Sequence, residues 1–281
     1  MKYGIVVDSG CDLTSLNPEV AHKIDFTRAA LKLDVGDKEF IDDFNLNIEE
    51  FMKEMYAYKG KTGSAAPSPG DFLHAFEKSE YVFAITITGA LSGTYASAQS
   101  AAEMFKEQYP DRKIHLIDSK SAGPEITLIV KKLTEYMTQD MSFEEIVQSI
   151  ENYRKHTHLL FVLKSLDNLV KNGRISKLQG SMAGILGIKI LGTATDEGTL
   201  DLLQKCRGKM TAYDKAIEEM FSRGYSGGKV IIAHSFASDV AEYMASKIKS
   251  QFSNCDIEIM RTSGLCSYYA EQGGILISFE I

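Results

Sequence analysis

Tyr81-Val82-Phe83-Ala84-Ile85-Thr86-Ile87-Thr88-Gly89-Ala90-Leu91-Ser92-Gly93-Thr94-Tyr95-Ala96-Ser97-Ala98 is the stretch around which the rest of the chain is read. The run from Tyr81 to Ile87 is apolar without alternation, the pattern of a strand covered on both faces in a parallel sheet. From Ala98 onward, apolar residues recur at Ala101, Ala102, Phe105 and Tyr109, which is one face of a helix. A strand that enters a helix through Thr88-Gly89-Ala90-Leu91-Ser92-Gly93-Thr94 aims free backbone N–H groups and the positive end of the helix dipole at one point. Such a turn holds a carboxylate or phosphate without needing a lysine.

Composition limits what the ligand and partners can be. The 281 residues suffice for one large or two ordinary domains, and 44% hydrophobic with 25% charged residues is ordinary for a globular protein. A net charge of -7 argues against nucleic acid or an anionic membrane surface as the main partner. No apolar run approaches the ~20 residues of a membrane span, and Met1-Lys2-Tyr3 runs straight into a strand with no leader, so a cytoplasmic protein without integral membrane association is expected. Cys11, Cys206, Cys255 and Cys266 have no metal or disulfide spacing. Reduced thiols, no metal and no cofactor are expected.

Outward from the opening stretch, Tyr3 to Asp8 and Lys113 to Asp118 are further strands that end in Asp-Ser turns. Ala29 to Phe40 reads as a hairpin with its tip at Asp34-Val35-Gly36-Asp37. Asn47 with Glu50, and Ser142 with Glu145, are spaced as helix-opening caps. Lys59 to Gly70, rich in Gly, Ser, Thr, Ala and Pro, reads as a loop, after which Pro69 starts a short helix. The first 157 residues alternate strand and helix, as an α/β/α domain with a mostly parallel sheet does. From residue 158 the texture changes: a strand at Leu159 to Leu163, a short helix from Ser165, an apolar glycine-bearing run at Gly180 to Ile188, a hairpin turning at Asp196-Glu197-Gly198-Thr199, then helix, strand, helix and two closing strands. The expected fold is α/β in two domains, 1–157 parallel and 158–281 α+β with a mixed sheet.

Four Ser/Thr/Asp turns flank strands, and in an open parallel sheet such loops converge at the carboxyl ends of the strands. Catalysis through them lacks parts. No G-x-S-x-G surrounds Ser92, no histidine is paired with it by sequence, and the second aspartate after Asp8 is four residues on, at Asp12. Neither a Walker nor a dinucleotide-binding glycine motif is present. Hydroxyls without a base, metal or cofactor favour binding. The rival readings are a hydrolase or phosphotransferase using Ser92 or Asp8, and a carrier of a different anionic amphiphile. The 180–188 run is either core or one wall of an apolar pocket, and Arg174 is the cation candidate beside it.

Ile5-Val6-Val7-Asp8-Ser9-Gly10-Cys11-Asp12-Leu13, Ser64-Ala65-Ala66-Pro67-Ser68-Pro69, Leu91-Ser92-Gly93-Thr94-Tyr95 and Asn172-Gly173-Arg174-Ile175-Ser176, in that order, resemble the DegV family over essentially the whole length. These are bacterial fatty-acid-binding proteins that act as acyl carriers for a separate fatty-acid kinase. The resemblance implies a long-chain fatty acid between two domains, its carboxylate held by hydroxyls and backbone of two loops and its tail in an apolar tunnel lined by the second domain. Carried over, Thr62 or Ser64, Ser92, Gly93 and Thr94 match head-group positions. Arg174 matches the arginine of the family's G-G-R-I motif, and Arg207 lies in a basic segment that the family turns toward its kinase subunit. Near the C-terminus Arg261-Thr262-Ser263-Gly264-Leu265-Cys266-Ser267-Tyr268-Tyr269 stands where many members carry H-x-G-P-G. Ser263 is the expected substitute for that histidine, with Arg261 as the expected source of charge.

Overall fold

A computed structural model of the chain describes residues 2–176 and 187–281. The expected pocket-wall run from Gly180 to Leu186 lies outside the described residues.

In chain order the first half runs β1 (Tyr3–Asp8), α1 (Pro18–Ala21), β2 (Ile24–Ala29), β3 (Lys32–Val35), β4 (Lys38–Ile41), α2 (Ile48–Ala57), β5 (Thr62–Ala65), α3 (Pro69–Phe76), β6 (Tyr81–Thr86), α4 (Thr94–Gln108), β7 (Lys113–Asp118), α5 (Pro124–Met137) and α6 (Phe143–Tyr153). The second half runs β8 (Thr157–Leu163), α7 (Asp167–Lys171), β9 (Ile188–Ala194), β10 (Leu200–Arg207), α8 (Thr211–Ser222), β11 (Lys229–His234), α9 (Ser238–Gln251), β12 (Asp256–Arg261), α10 (Gly264–Ala270) and β13 (Ile275–Glu280).

The parallel sheet has the order β2-β1-β6-β7, with β1 and β6 at its centre, as their unbroken apolar runs require. Alternate residues of these strands serve two cores. Val6, Val82 and Ala84 pack under α3 and α4 with Phe72, Phe76, Ala98 and Phe105. Ile5, Val7, Phe83 and Ile85 pack under α5 and α6 with Ile126, Ile129, Ile146 and Ile150. The six-stranded sheet is mixed, β10-β9-β8-β13-β11-β12, and carries α8 and α9 on one face. Its other face meets α5, which also touches β6, so this helix is buried between the two sheets.

Three elements differ from the sequence reading. The segment read as a loop from Lys59 to Gly70 contains β5, which pairs antiparallel with β3 and makes a third, three-stranded sheet, β4-β3-β5. Its Thr-Gly-Ser-Ala sequence carries no apolar alternation, because the strand is only partly covered and its pairing comes from β3. Ile24–Ala29 is an edge strand of the parallel sheet whose alternation is broken at Arg28, the position that should follow Ile24 and Phe26 as apolar. Between the two closing strands lies α10, nearly all of it buried. Three predicted starts hold, with the reciprocal capping box formed at Ser142 and only the Asn47 half of it at α2. Asn47 and Ser142 accept the N–H of Glu50 and Glu145, and Pro69 occupies the first turn of α3 behind a Ser68–Asp71 capping box. Among the described residues no helix is long and apolar enough to cross a membrane, and the four cysteines are unpaired.

Candidate functional site

An apolar cavity opens between the parallel and the mixed sheet. On β8 the side chains alternate, so Leu160 and Val162 point to α8 and α9 while Leu159, Phe161 and Leu163 line the cavity. Leu276 on β13, directly opposite Phe161 in the register, continues this wall. The missed helix α10 supplies Leu265, Cys266, Tyr269 and Ala270, and the first half of the chain supplies Leu31, Ile87, Leu91 and Ala122. Against these, the polar lining is confined to Ser64, Ser92, Arg174 and the Tyr269 hydroxyl.

Each polar group is placed by local structure. Gly173, at φ +72, lets the chain turn back after α7, and the Arg174 N–H then bonds the Leu169 carbonyl at 2.8 Å. The guanidinium reaches the turn after β6, where Nε donates to the Leu91 carbonyl at 3.1 Å, while Nη1 donates to the nearby Asn172 carbonyl. No carboxylate pairs with Arg174 among the described residues. Ser92 sits just before α4, whose cap residue, Gly93, has no side chain to satisfy the helix N-terminus. Its Oγ shares a 2.8 Å bond with the Thr94 hydroxyl and accepts the Thr94 N–H at 3.3 Å. Thr94 itself is fully buried, so Ser92 is the hydroxyl of this turn that faces the cavity. On β5, Thr62 and Ser64 point to the same side and meet consecutive tyrosines of α10. Thr62 Oγ1 lies 2.8 Å from the Tyr268 hydroxyl and Ser64 Oγ lies 2.9 Å from that of Tyr269. Only the second pair lines the cavity.

Beside the cavity lies a buried acidic cluster. Asp8 accepts the N–H groups of Gly10 and Ile87, both at 2.7 Å, and so clamps the ends of β1 and β6 together. Asp42 accepts those of Gly264 and Leu265 at the start of α10, and Asp12 that of Ser263. Arg28 is the cation among them, 4.0 Å from Asp42. Burial dominates and pushes Asp8 up to about 7 and Asp12 and Asp42 to about 6. Burial also raises the Cys11 thiol to about 12 and drives Cys266 well above its usual value, so neither is a nucleophile.

Of the residues expected from sequence, Ser64, Ser92 and Arg174 meet at the cavity. Thr62, Gly93 and Thr94 stand behind them and do not line it. Ser263 is turned away, its hydroxyl donating to the Ser9 carbonyl at 2.9 Å. Arg261 pairs with Glu49 at 2.7 Å and covers the Phe236 ring. Arg207 is exposed at the end of β10, far along the sheet edge from the cavity lining. Asp8 is fully buried, with both carboxylate oxygens already accepting backbone N–H groups. No histidine is bonded to Ser92 among the described residues, and no group of three or more His, Cys, Asp or Glu side chains among them is placed to hold a metal. Sequence reasoning missed Tyr269. The i, i+3, i+4 spacing of Leu265, Tyr268 and Tyr269 was the available signal of a helix with one buried face.

The model of the DegV family, described as uncharacterised proteins, matches residues 2–280. The chain belongs to the DegV family. A DegV domain-containing protein of Streptococcus pneumoniae strain R6 is 46% identical over the full length of both chains. The crystal structure of the fatty acid kinase B3 protein of Streptococcus pneumoniae, loaded with linoleic acid, superposes with a TM-score of 0.97 at 46% identity, covering 100% of each chain. A DegV protein from Eubacterium eligens loaded with heptadecanoic acid superposes at 0.94 with 37% identity, covering 99% of each.

Proposed function

We propose that this DegV protein is a non-catalytic carrier of a long-chain fatty acid, which it holds between the regions 1–157 and 158–281. The observation that carries this reading is an arginine without a carboxylate partner among the described residues, set with two serine hydroxyls at one side of an otherwise apolar cavity. Each methylene buried contributes ~0.8 kcal/mol, so the tail supplies most of the affinity and the polar groups fix which end enters where. Ser64, Ser92 and Arg174 receive the carboxylate. A hydrolase built on Ser92 or Asp8 lacks a base among the described residues in the first case and access in the second.

The carrier presents its ligand to a separate fatty-acid kinase in the cytoplasm. Lys205, Arg207 and Lys209 are exposed together at the end of the edge strand β10 and form a basic surface for that partner. Native mass spectrometry of protein purified from a bacterial host tests the carrier reading. The expected spectrum shows the protein mass plus that of a C16 to C18 fatty acid. Ligand-free protein that also refuses added oleate overturns the reading, and a bound amphiphile that is not a carboxylic acid replaces it.

A further inference from the structure

The ladder between β5 and α10 has two rungs of the same kind, and only one of them faces the cavity. In the first, the Tyr268 hydroxyl meets Thr62 Oγ1 and also accepts from Asn172 Nδ2 at 2.8 Å, while Asn168 Nδ2 holds the Tyr268 carbonyl at 2.8 Å. Tyr268 is fully buried, and this rung stands outside the cavity. In the second, Tyr269 and Ser64 bond only each other among the described residues, and both line the cavity. Two hydroxyls carry two protons and one mutual bond uses one of them. The second O–H therefore has no acceptor among the described residues and is free to donate into the cavity that both side chains line. The Tyr269 ring cannot readily turn away, because it packs edge-on against the anchored Tyr268 ring at 4.8 Å.

We infer that Tyr269 is a positioning residue of the head-group site: its hydroxyl donates to Ser64 Oγ and so directs the Ser64 proton at the ligand carboxylate, beside Ser92 and Arg174. This rests on the carrier reading. The resulting donor set is one cation and neutral hydroxyls, which suits a carboxylate monoanion.

The test measures dissociation of oleate and of its uncharged methyl ester from the full-length protein and from Tyr269→Phe, Ser64→Ala, the double variant and Tyr268→Phe. Tyr269→Phe and Ser64→Ala are each expected to speed oleate release about tenfold, the size of one lost hydrogen bond to a charged group. The methyl ester should be released at the wild-type rate, and the double variant should be no worse than about twofold beyond either single one, as for two members of one unit. Tyr268→Phe should lower the melting temperature and leave oleate release unchanged. Oleate release unchanged in Tyr269→Phe, equal acceleration of acid and ester, or additive single effects each overturn the inference. Wild-type protein that binds no oleate overturns the carrier reading instead. Ser64→Ala and the acid–ester comparison keep the test open should Tyr269→Phe fold poorly.

Discussion

The Thr88 hydroxyl donates to the Gly198 carbonyl at 2.8 Å, so the turn after β6 holds the tip of the β9–β10 hairpin. Gly198 has φ +83, and a Cβ there would run into Thr88 Oγ1 and lie 3.2 Å from Lys120 Cα. Leu200, two residues on, lines the cavity. Gly198→Ala thus combines an unfavourable backbone with a clash at the latch, and should cost roughly 1–3 kcal/mol. Urea denaturation measures this. Fatty-acid release should quicken in the same variant, and a destabilised protein with unchanged release would mean that the hairpin tip does not help close the cavity.

Arg174 spends Nε on Leu91 and Nη1 on Asn172, so its charge is held in place before any ligand enters. Arg174→Met keeps the length of the side chain and removes the charge. Losing one charge-assisted contact of about 1.5–3 kcal/mol corresponds to roughly 10- to 100-fold faster release. Arg174→Lys should recover little, because a single ammonium cannot both bond the Leu91 carbonyl and face a carboxylate in a fork. Release of a fluorescent fatty acid at several salt concentrations checks both variants.

The three buried aspartates give a pH dependence of known sign. Asp8, Asp12 and Asp42 bind their protons more tightly in the fold than in the unfolded chain, since burial lifts them from 3.8 to about 7, 6 and 6. Their stabilising effect is fully present below about pH 4 and is lost as the pH rises through 6 to 7. Asp12→Asn keeps the acceptor for the Ser263 N–H and replaces Oδ2, a buried oxygen with no hydrogen-bond partner among the described residues. Unfolding free energy measured from pH 5 to 8 should fall less steeply in this variant than in the wild type. The difference should be on the order of 1–3 kcal/mol, since each tenfold tightening of a bound proton is worth about 1.4 kcal/mol. A steeper fall in the variant would reverse the assignment.

Much of this was legible in sequence because burial on both faces leaves a plain mark. The runs at Tyr3 to Val7 and Tyr81 to Ile85 carry no charged or strongly polar side chain, and they lie in the two central strands. Ser92 and Arg174 were legible too, since a strand–helix turn and a glycine-bound arginine are local features. Strand β5 was not, because Thr62-Gly63-Ser64-Ala65 becomes a strand only by pairing with β3. The place of Ser263 was hidden for a similar reason. Its hydroxyl is taken by the Ser9 carbonyl, 254 residues away in sequence. Tyr269 was hidden because α10 is only seven residues long, too short for its buried face to repeat as a periodic pattern.

Gly192 and Phe161 face each other across β9 and β8, and a Cβ at Gly192 would run into Phe161 Cζ and lie 2.6 Å from the Asp201 carbonyl oxygen. The ring can lie back against the sheet only because nothing occupies that space. Gly192→Ala should push the ring toward the cavity, at a cost of about 1–3 kcal/mol from overpacking. Phe161→Leu should instead widen the cavity, its own loss of packing costing about 1–2 kcal/mol. The two substitutions should therefore move the bound acyl chains in opposite directions, toward shorter chains in Gly192→Ala and toward longer or more bent ones in Phe161→Leu. Native mass spectrometry on protein equilibrated with an equimolar C14 to C20 mixture reads the profile directly. Identical profiles in both variants would mean that the acyl chain does not run past Phe161, and would move the tail to another wall of the cavity.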